Sequence, residues 1–190
     1  MPRLFVAVQL EQQARQSLSA LRNRLLMSDH SGLRLANVER VHLTLRFIGS
    51  IKDDQVESVT SAVSHAAQST TAFSLRLDGV DAFPNRRFPR VLWVGMEGDV
   101  DKLKKLKSCI DFYLTEVDFP PDHSVFVPHV TLARVNKNVN KQLPARIWRE
   151  LKPLEQDGSR EVPVFSIDVI ESMSGCDGVT HKTIHRAKLG

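Results

Sequence analysis

A chain of 190 residues is long enough to bury roughly 70% of the surface its unfolded form exposes, so a sizeable core fits within one domain or two intimately packed lobes. With 42% hydrophobic and 25% charged residues and no low-complexity tract, the composition excludes a disordered or fibrous chain. A net charge of +4 and a pI near 9.3, without any long run of Lys or Arg, favour a polyanionic partner without naming one.

In chain order, residues 4–8 read as a strand and the next segment places Ala14, Leu18, Leu21 and Leu25 at helical spacing. A loop containing Gly32 leads to an alternating strand over 41–49. Asp53 is then placed to cap a second helix carrying Val56, Val59, Val63 and Ala66. Strands are expected over 73–77 and 91–96, joined by a mobile, exposed connector over 81–90 whose Arg86, Arg87 and Arg90 could contact a polyanion or simply be solvated. A third helix over 101–117 turns Leu103, Leu106, Ile110, Leu114 and Val117 inward and its lysines outward, and a strand over 125–133 follows. Short helical character over 144–151 precedes two strands, 164–171 and 182–187, folded as a hairpin about Ser174-Gly175-Cys176-Asp177-Gly178. Interspersed helices and adjacent strands predict an α+β sandwich with helices covering sheet faces, spanning 1–190 as a single unit.

No apolar stretch approaches the ~18 residues of a membrane span, and the N-terminus enters a strand-like run directly, so neither a transmembrane segment nor a signal peptide is expected. Cys109 and Cys176 make no disulfide framework or metal knuckle and read as free thiols in a cytoplasmic protein.

The most informative feature is a repeat. His42-Leu43-Thr44-Leu45 and His129-Val130-Thr131-Leu132 share the pattern His-apolar-Thr-Leu. The two-residue period of a strand puts His42 and Thr44 on one face and the leucines on the other, and likewise His129 and Thr131. A lone His-x-Thr is ordinarily the polar face of a sheet; two copies with the same extension, one in each half of the chain, are harder to dismiss. Such an arrangement suits in-line displacement at phosphorus, where base and acid must sit on opposite sides. Histidine populates both protonation states near neutral pH, and the threonines can donate hydrogen bonds to non-bridging oxygens. Zinc ligation is the competing reading, but no Cys, Asp or Glu recurs beside either copy, so no metal or other cofactor is expected.

Within His42-Leu43-Thr44-Leu45-Arg46-Phe47 and Pro128-His129-Val130-Thr131-Leu132-Ala133-Arg134, these repeats resemble the signature of the two-histidine (2H) phosphoesterase superfamily, in particular the bacterial LigT-like RNA 2′,3′-cyclic phosphodiesterases. The resemblance extends over residues 3–8, Phe83-Pro84 through Gly95, and a closing hairpin from near Glu171-Ser172. It implies a bilobal α+β fold with pseudo-twofold symmetry, antiparallel sheets lining a central groove and helices outside. It also implies hydrolysis of RNA 2′,3′-cyclic phosphate ends to 2′-phosphomonoesters, with reversible 2′-5′ RNA ligation associated with the family; the protein is expected to act as a monomer on such RNA or oligonucleotide ends. Carried over, His42 and His129 are the catalytic pair, with His129 the base and His42 the acid, and Thr44 and Thr131 hold the phosphate.

Phe47 and Arg134 resemble groove positions that stack on a base and contact phosphate. Strict alternation would instead put both on the leucine face unless the strands bulge, leaving Phe47 equally readable as core. Where the family often carries an aromatic residue in its last strand, this chain has Thr180-His181-Lys182-Thr183-Ile184-His185; His181 and His185 read as surface histidines that could reach substrate, and His30, His65 and His123 as surface histidines. A related 2H esterase acting on another small cyclic or 2′-5′-linked nucleotide, or a non-catalytic RNA-end-binding module, would carry the same motifs.

Overall fold

The computed structural model describes residues 1–27, 32–136, 143–151, 160–175 and 178–190. Its strands are β1 (Arg3–Gln9), β2 (Leu33–Leu35), β3 (His42–Ser50), β4 (Phe73–Phe83), β5 (Val91–Gly98), β6 (His129–Val135), β7 (Glu161–Val164), β8 (Ser166–Gly175) and β9 (Gly178–Lys188). Helices α1 (Gln12–Met27), α2 (Val56–Gln68), α3 (Val100–Thr115) and α4 (Leu143–Glu150) complete the order.

All pairings are antiparallel. The strands run β7-β4-β5-β6-β3-β1-β8-β9, with β2 beside β6. The two histidine-bearing strands, β6 and β3, are therefore central neighbours, and four strands of that run fall on each side of the line between them. This is the bilobal, pseudo-twofold arrangement that the family resemblance implies. One sheet face is packed by helices: Leu43, Leu45, Leu92, Val94, Val130 and Leu132 are buried in one cluster with Leu18, Leu21, Val59, Val63, Leu103, Leu106 and Ile110. On the opposite face, among the described residues, Phe5, Ala7 and Ile170 form a second, small buried cluster, which leaves that face available as a groove floor.

Several local expectations are corrected. Strand β4 does not stop at Leu77; Gly79, at φ +60°, forms a bulge that resets the alternation, so Val80 and Ala82 are again buried and only residues 84–90 form the turn. That turn carries its own set of polar contacts. Arg86 pairs with Asp81 at 3.1 Å and donates to the Val80 carbonyl, Asn85 Oδ1 accepts from the Arg87 and Phe88 amides, and Trp148 Nε1 donates to the Arg86 carbonyl. Strand β6 begins at His129, not Val125, because its ladder to β5 starts at the Gly95–His129 pair and Pro128 offers no amide to extend it.

Asp53 lies inside a 3-10 turn instead of capping α2; the first amide is bonded from Lys52 to Gln55 Oε1. Lys107 on α3 points inward, buried against Asp111. The short strands β2 and β7 lacked a readable alternation. His30, Cys176 and Asp177 lie outside the described residues.

Candidate active site

Strands β3 and β6 touch through one pair, Leu43 with Val130. One residue outward on either side, His42 faces Thr131 and Thr44 faces His129, so the two histidines sit on a diagonal with Cα atoms about 7–8 Å apart by ordinary sheet geometry. Beyond that contact the strands part: Asn37 to Val41 loop away through a 3-10 turn whose Asn37 side chain accepts from the Glu39 amide. A cavity of about 680 Å³ opens over the pair and is lined by His42, Thr44, His129 and Thr131 together.

Both imidazoles are oriented by the same device. Nδ1 of His42 lies 2.9 Å from the Arg40 carbonyl and Nδ1 of His129 lies 2.7 Å from the Val127 carbonyl, each two residues upstream. A carbonyl only accepts, so Nδ1 carries the proton and Nε2 is the nitrogen left for proton exchange. Aromatic rings fix each plane. His42 lies 4.8 Å from the Phe5 ring and 5.1 Å, edge-on, from His181. His129 lies 5.0 Å, edge-on, from Phe83 and 5.8 Å from Trp93. Gly95 makes the second arrangement possible: a Cβ there would sit 2.8 Å from the Asp78 carbonyl and 3.3 Å from the Trp93 ring that supports His129.

The residues that follow each motif reach the groove through matching bulges. In β3 the register steps from Ala7–Thr44 to Val6–Arg46, skipping Leu45; in β6 it steps from Trp93–Thr131 to Leu92–Ala133, skipping Leu132. Two consecutive residues are therefore buried in each strand, and the next one emerges on the histidine face. Phe47 is 67% exposed and 6.1 Å from Phe5, and both Phe47 and Arg134 line the cavity. Strict alternation fails here, and the reading of Phe47 as core fails with it.

The electrostatics are one-sided. Arg3, Arg34, Arg40 and Arg134 line the cavity, and its described lining contains no carboxylate. Among the described residues no group of three or more His, Cys, Asp or Glu could hold a metal ion. Imidazoles, hydroxyls and guanidiniums suit an anion instead. Burial pushes the His42 imidazole below its ordinary pKa; the Arg40 carbonyl opposes this, and the neighbouring His181 charge adds to it. His181 is itself pushed down, by burial and then by Arg40.

His181 is the main residue that sequence reasoning misplaced. It faces the cavity from β9, opposite Ser172, because the β8–β9 hairpin folds its inner face over the groove. The bulge between Val169 and Ile170 sends His185 to the other face, where its Nε2 is 2.8 Å from Ser64 Oγ on α2. His65 packs tilted against Tyr113, with ring centres 5.6 Å apart, between α2 and α3, and His123 is exposed. Arg86, Arg87 and Arg90 do not line the cavity; the basic lining comes from Arg3, Arg34, Arg40 and Arg134, of which only Arg134 had a motif to mark it.

The chain is similar to known proteins along most of its length. Residues 8–93 match the family described as LigT like Phosphoesterase. An RNA 2′,3′-cyclic phosphodiesterase of Aeropyrum pernix is 33% identical over 161 residues, 84% of this chain and 89% of that protein. Its namesake in Thermotoga maritima is 28% identical over 98% of this chain and 95% of its own length. The crystal structure of a Thermus thermophilus protein shares the fold, with a TM-score of 0.81 at 23% identity over 98% of this chain and 97% of that one. With a relative this similar spanning nearly the whole length, a matching family segment and a shared fold, the chain belongs to the LigT-like phosphoesterase family.

Proposed function

We propose that this protein hydrolyses RNA 2′,3′-cyclic phosphate ends to 2′-phosphomonoesters, with His129 as general base and His42 as general acid. The observation that carries this reading is a pair of imidazoles, each presenting Nε2 to one cation-lined cavity from a different half of the sheet. Water loses a proton to His129 Nε2 and attacks phosphorus; the P–O3′ bond breaks in line, and His42 Nε2–H protonates O3′. Thr44 and Thr131 hydrogen-bond the non-bridging oxygens, and the surrounding guanidiniums favour their negative charge. Every proton is supplied and received by the protein, so no metal step is required. With a 5′-hydroxyl in place of water, the same displacement joins two RNA ends through a 2′-5′ bond.

The order of groups along the strands supports the acid and base assignment. Arg134 lies at one end, then His42 with Thr131, then His129 with Thr44, then Phe47 at the other end. In a ribose 2′,3′-cyclic phosphate, O2′ lies on the base side and O3′ on the 5′ side. A base stacked on Phe47 therefore turns O3′ towards His42. We take the working form to be a monomer, since all the groups invoked come from one chain, and its location to be the cytosol, where two cysteines without a disulfide framework are at home.

Incubation with adenosine 2′,3′-cyclic phosphate in EDTA, followed by identification of the product, tests the reading directly. Formation of the 2′-monoester at an undiminished rate is expected; no turnover, or release of the 3′-monoester alone, would sink it.

The lowered pKa of His42 gives a pH signature. In the empty groove His42 loses its proton below the ordinary histidine value, whereas a bound phosphate anion restores it. An acid must be protonated to act, so the high-pH limb belongs to His42. In kcat/KM, which reports the free enzyme, that limb should fall at lower pH than in kcat, which reports the complex. Coincident limbs would show that substrate does not charge this imidazole.

A further inference from the structure

Resting on that functional reading, we infer that Arg40 is a positioning residue for the general acid: it ties the tip of the β8–β9 hairpin to the turn before β3 and so holds the His181 ring against the His42 imidazole. Arg40 Nη1 donates to the Val179 carbonyl at 3.1 Å, across 139 positions of the chain. The carbonyl of the same residue is the acceptor 2.9 Å from His42 Nδ1. Val179 and His181, two residues apart on β9, both line the cavity, and the His181 ring stands edge-on to His42 with centres 5.1 Å apart. The contacts therefore close into a ring: Arg40 to Val179, along β9 to His181, across to His42, and back to Arg40.

The hairpin tip needs such a tie. The ladder between β1 and β8 ends at the Leu4–Glu171 pair, and His181 lies opposite Ser172, one residue past it. Strand β9 ends the sheet order, so beyond Glu171 the described residues give the hairpin no neighbouring strand. The turn that carries Arg40 is a firm anchor: Asn37 caps it, Val38 packs on the core and Val41 is buried. Glu39, the acidic residue of the same turn, pairs with Arg15 at 3.2 Å and does not compete for Arg40.

The general base is supported differently. Phe83 and Trp93, which flank His129, lie on β4 and β5, inside the ladder that joins those strands. The acid has one such neighbour, Phe5, inside the β1–β3 ladder; its other neighbour is His181, on the hairpin tip. An imidazole supported on one side only can tilt about its Nδ1 hydrogen bond and carry Nε2 away from O3′, and a displacement of about 1 Å is enough to slow a proton transfer. Arg40 has a second effect. Burial, and then the Arg40 charge, hold His181 below its ordinary range, so His42 can take up a proton on phosphate binding without meeting a second imidazolium beside it.

The test is a ratio: kcat for the cyclic nucleotide whose bridging O3′ is replaced by sulfur, divided by kcat for adenosine 2′,3′-cyclic phosphate. A thiolate leaves without a proton, so the ratio rises only when delivery of that proton is impaired, whereas general damage to the groove lowers both rates alike. In Arg40→Met and in His181→Ala the ratio should rise about fivefold or more, through the oxygen substrate alone. Arg40→Met should add nothing further in the His181→Ala background, because the tie then has no ring to hold. Arg40→Lys keeps a donor for the Val179 carbonyl and should recover part of the oxygen rate. His181→Phe keeps a ring against Phe5 and His42, and its ratio should stay within about twofold of that of the unmodified protein. An Arg40→Met ratio equal to that of the unmodified protein, additive losses in the double variant, or a His181→Phe ratio raised as far as that of His181→Ala would overturn the inference while leaving cyclic-phosphate hydrolysis standing. Sulfur that rescues His129→Ala and not His42→Ala would instead reverse the acid and base of the functional reading, and no turnover by the unmodified protein would sink that reading; the inference falls with it in either case.

Discussion

Replacing either His42 or His129 by Ala should cut turnover of adenosine 2′,3′-cyclic phosphate by about 10²- to 10⁴-fold, the usual contribution of a positioned proton donor or acceptor. Both imidazoles line the cavity rather than the helix-packed core, and the Leu43, Leu45, Val130 and Leu132 anchors remain, so the thermal midpoint should move little. The two variants should differ in what rescues them. With the bridging O3′ replaced by sulfur, the leaving thiolate needs no proton, and His42→Ala should recover most of its lost rate. His129→Ala should stay slow, because water still has to be deprotonated. Rescue of His129→Ala alone would reverse the two roles, and full activity in either variant on the natural cyclic phosphate would remove the mechanism altogether. Glutamine at either position tests the same point differently: it can hydrogen-bond phosphate but cannot exchange a proton at neutral pH, so it should be as slow as Ala if proton transfer is what the imidazole supplies.

What could be read from the sequence was whatever depends on period and repetition. The strand alternation around His42 and His129 placed each histidine beside its threonine, and two copies of the motif implied two halves meeting at one groove. Register shifts were not readable. The bulges at Leu45 and Leu132 arise from pairing with β1 and β5, and nothing within the local string marks the skipped residue, so alternation alone put Phe47 and Arg134 on the face opposite to the one they occupy, and only the family resemblance pointed them to the groove. Gly79 hid the continuation of β4 in the same way, because a glycine that interrupts an alternation looks like a turn.

His181 was missed for a different reason. Its neighbours are Phe5 and His42, 176 and 139 positions earlier in the chain, and its polar surroundings in β9 resemble any exposed edge strand. The basic lining was equally opaque. Arg3, Arg34 and Arg40 sit in three separate segments and converge only because β1, β2 and the 3-10 turn before β3 border the same opening.

Arg46→Ala should destabilise the protein by about 3–5 kcal/mol, the usual result of removing one partner from a buried ionic group. The bulge that exposes Phe47 turns Arg46 to the helix side, where it is only 8% exposed. Its Nε lies 3.5 Å from Asp111, its Nη1 lies 3.6 Å from Asp122, and its Nη2 donates to the Pro120 carbonyl. Lys107 shares Asp111, so two cations balance two carboxylates where β3, α3 and the segment after α3 meet. Deleting Arg46 leaves that balance one positive charge short and frees the Pro120 segment. For a chain of this size the midpoint should drop by roughly 6–20 °C, read from thermal or urea unfolding. A loss below about 1 kcal/mol would mean that water screens the cluster as it does a surface pair. The effect should also reach the groove, since Arg46 and Phe47 share one bulge: KM for the cyclic nucleotide should rise more than kcat falls, because the histidines are held by their own carbonyls and aromatic neighbours. The second motif has Ala133 at the matching position, where the neutral interior of the other half requires no countercharge. Ala133→Arg should therefore be strongly destabilising, although the same residue is tolerated in the equivalent place 87 positions earlier.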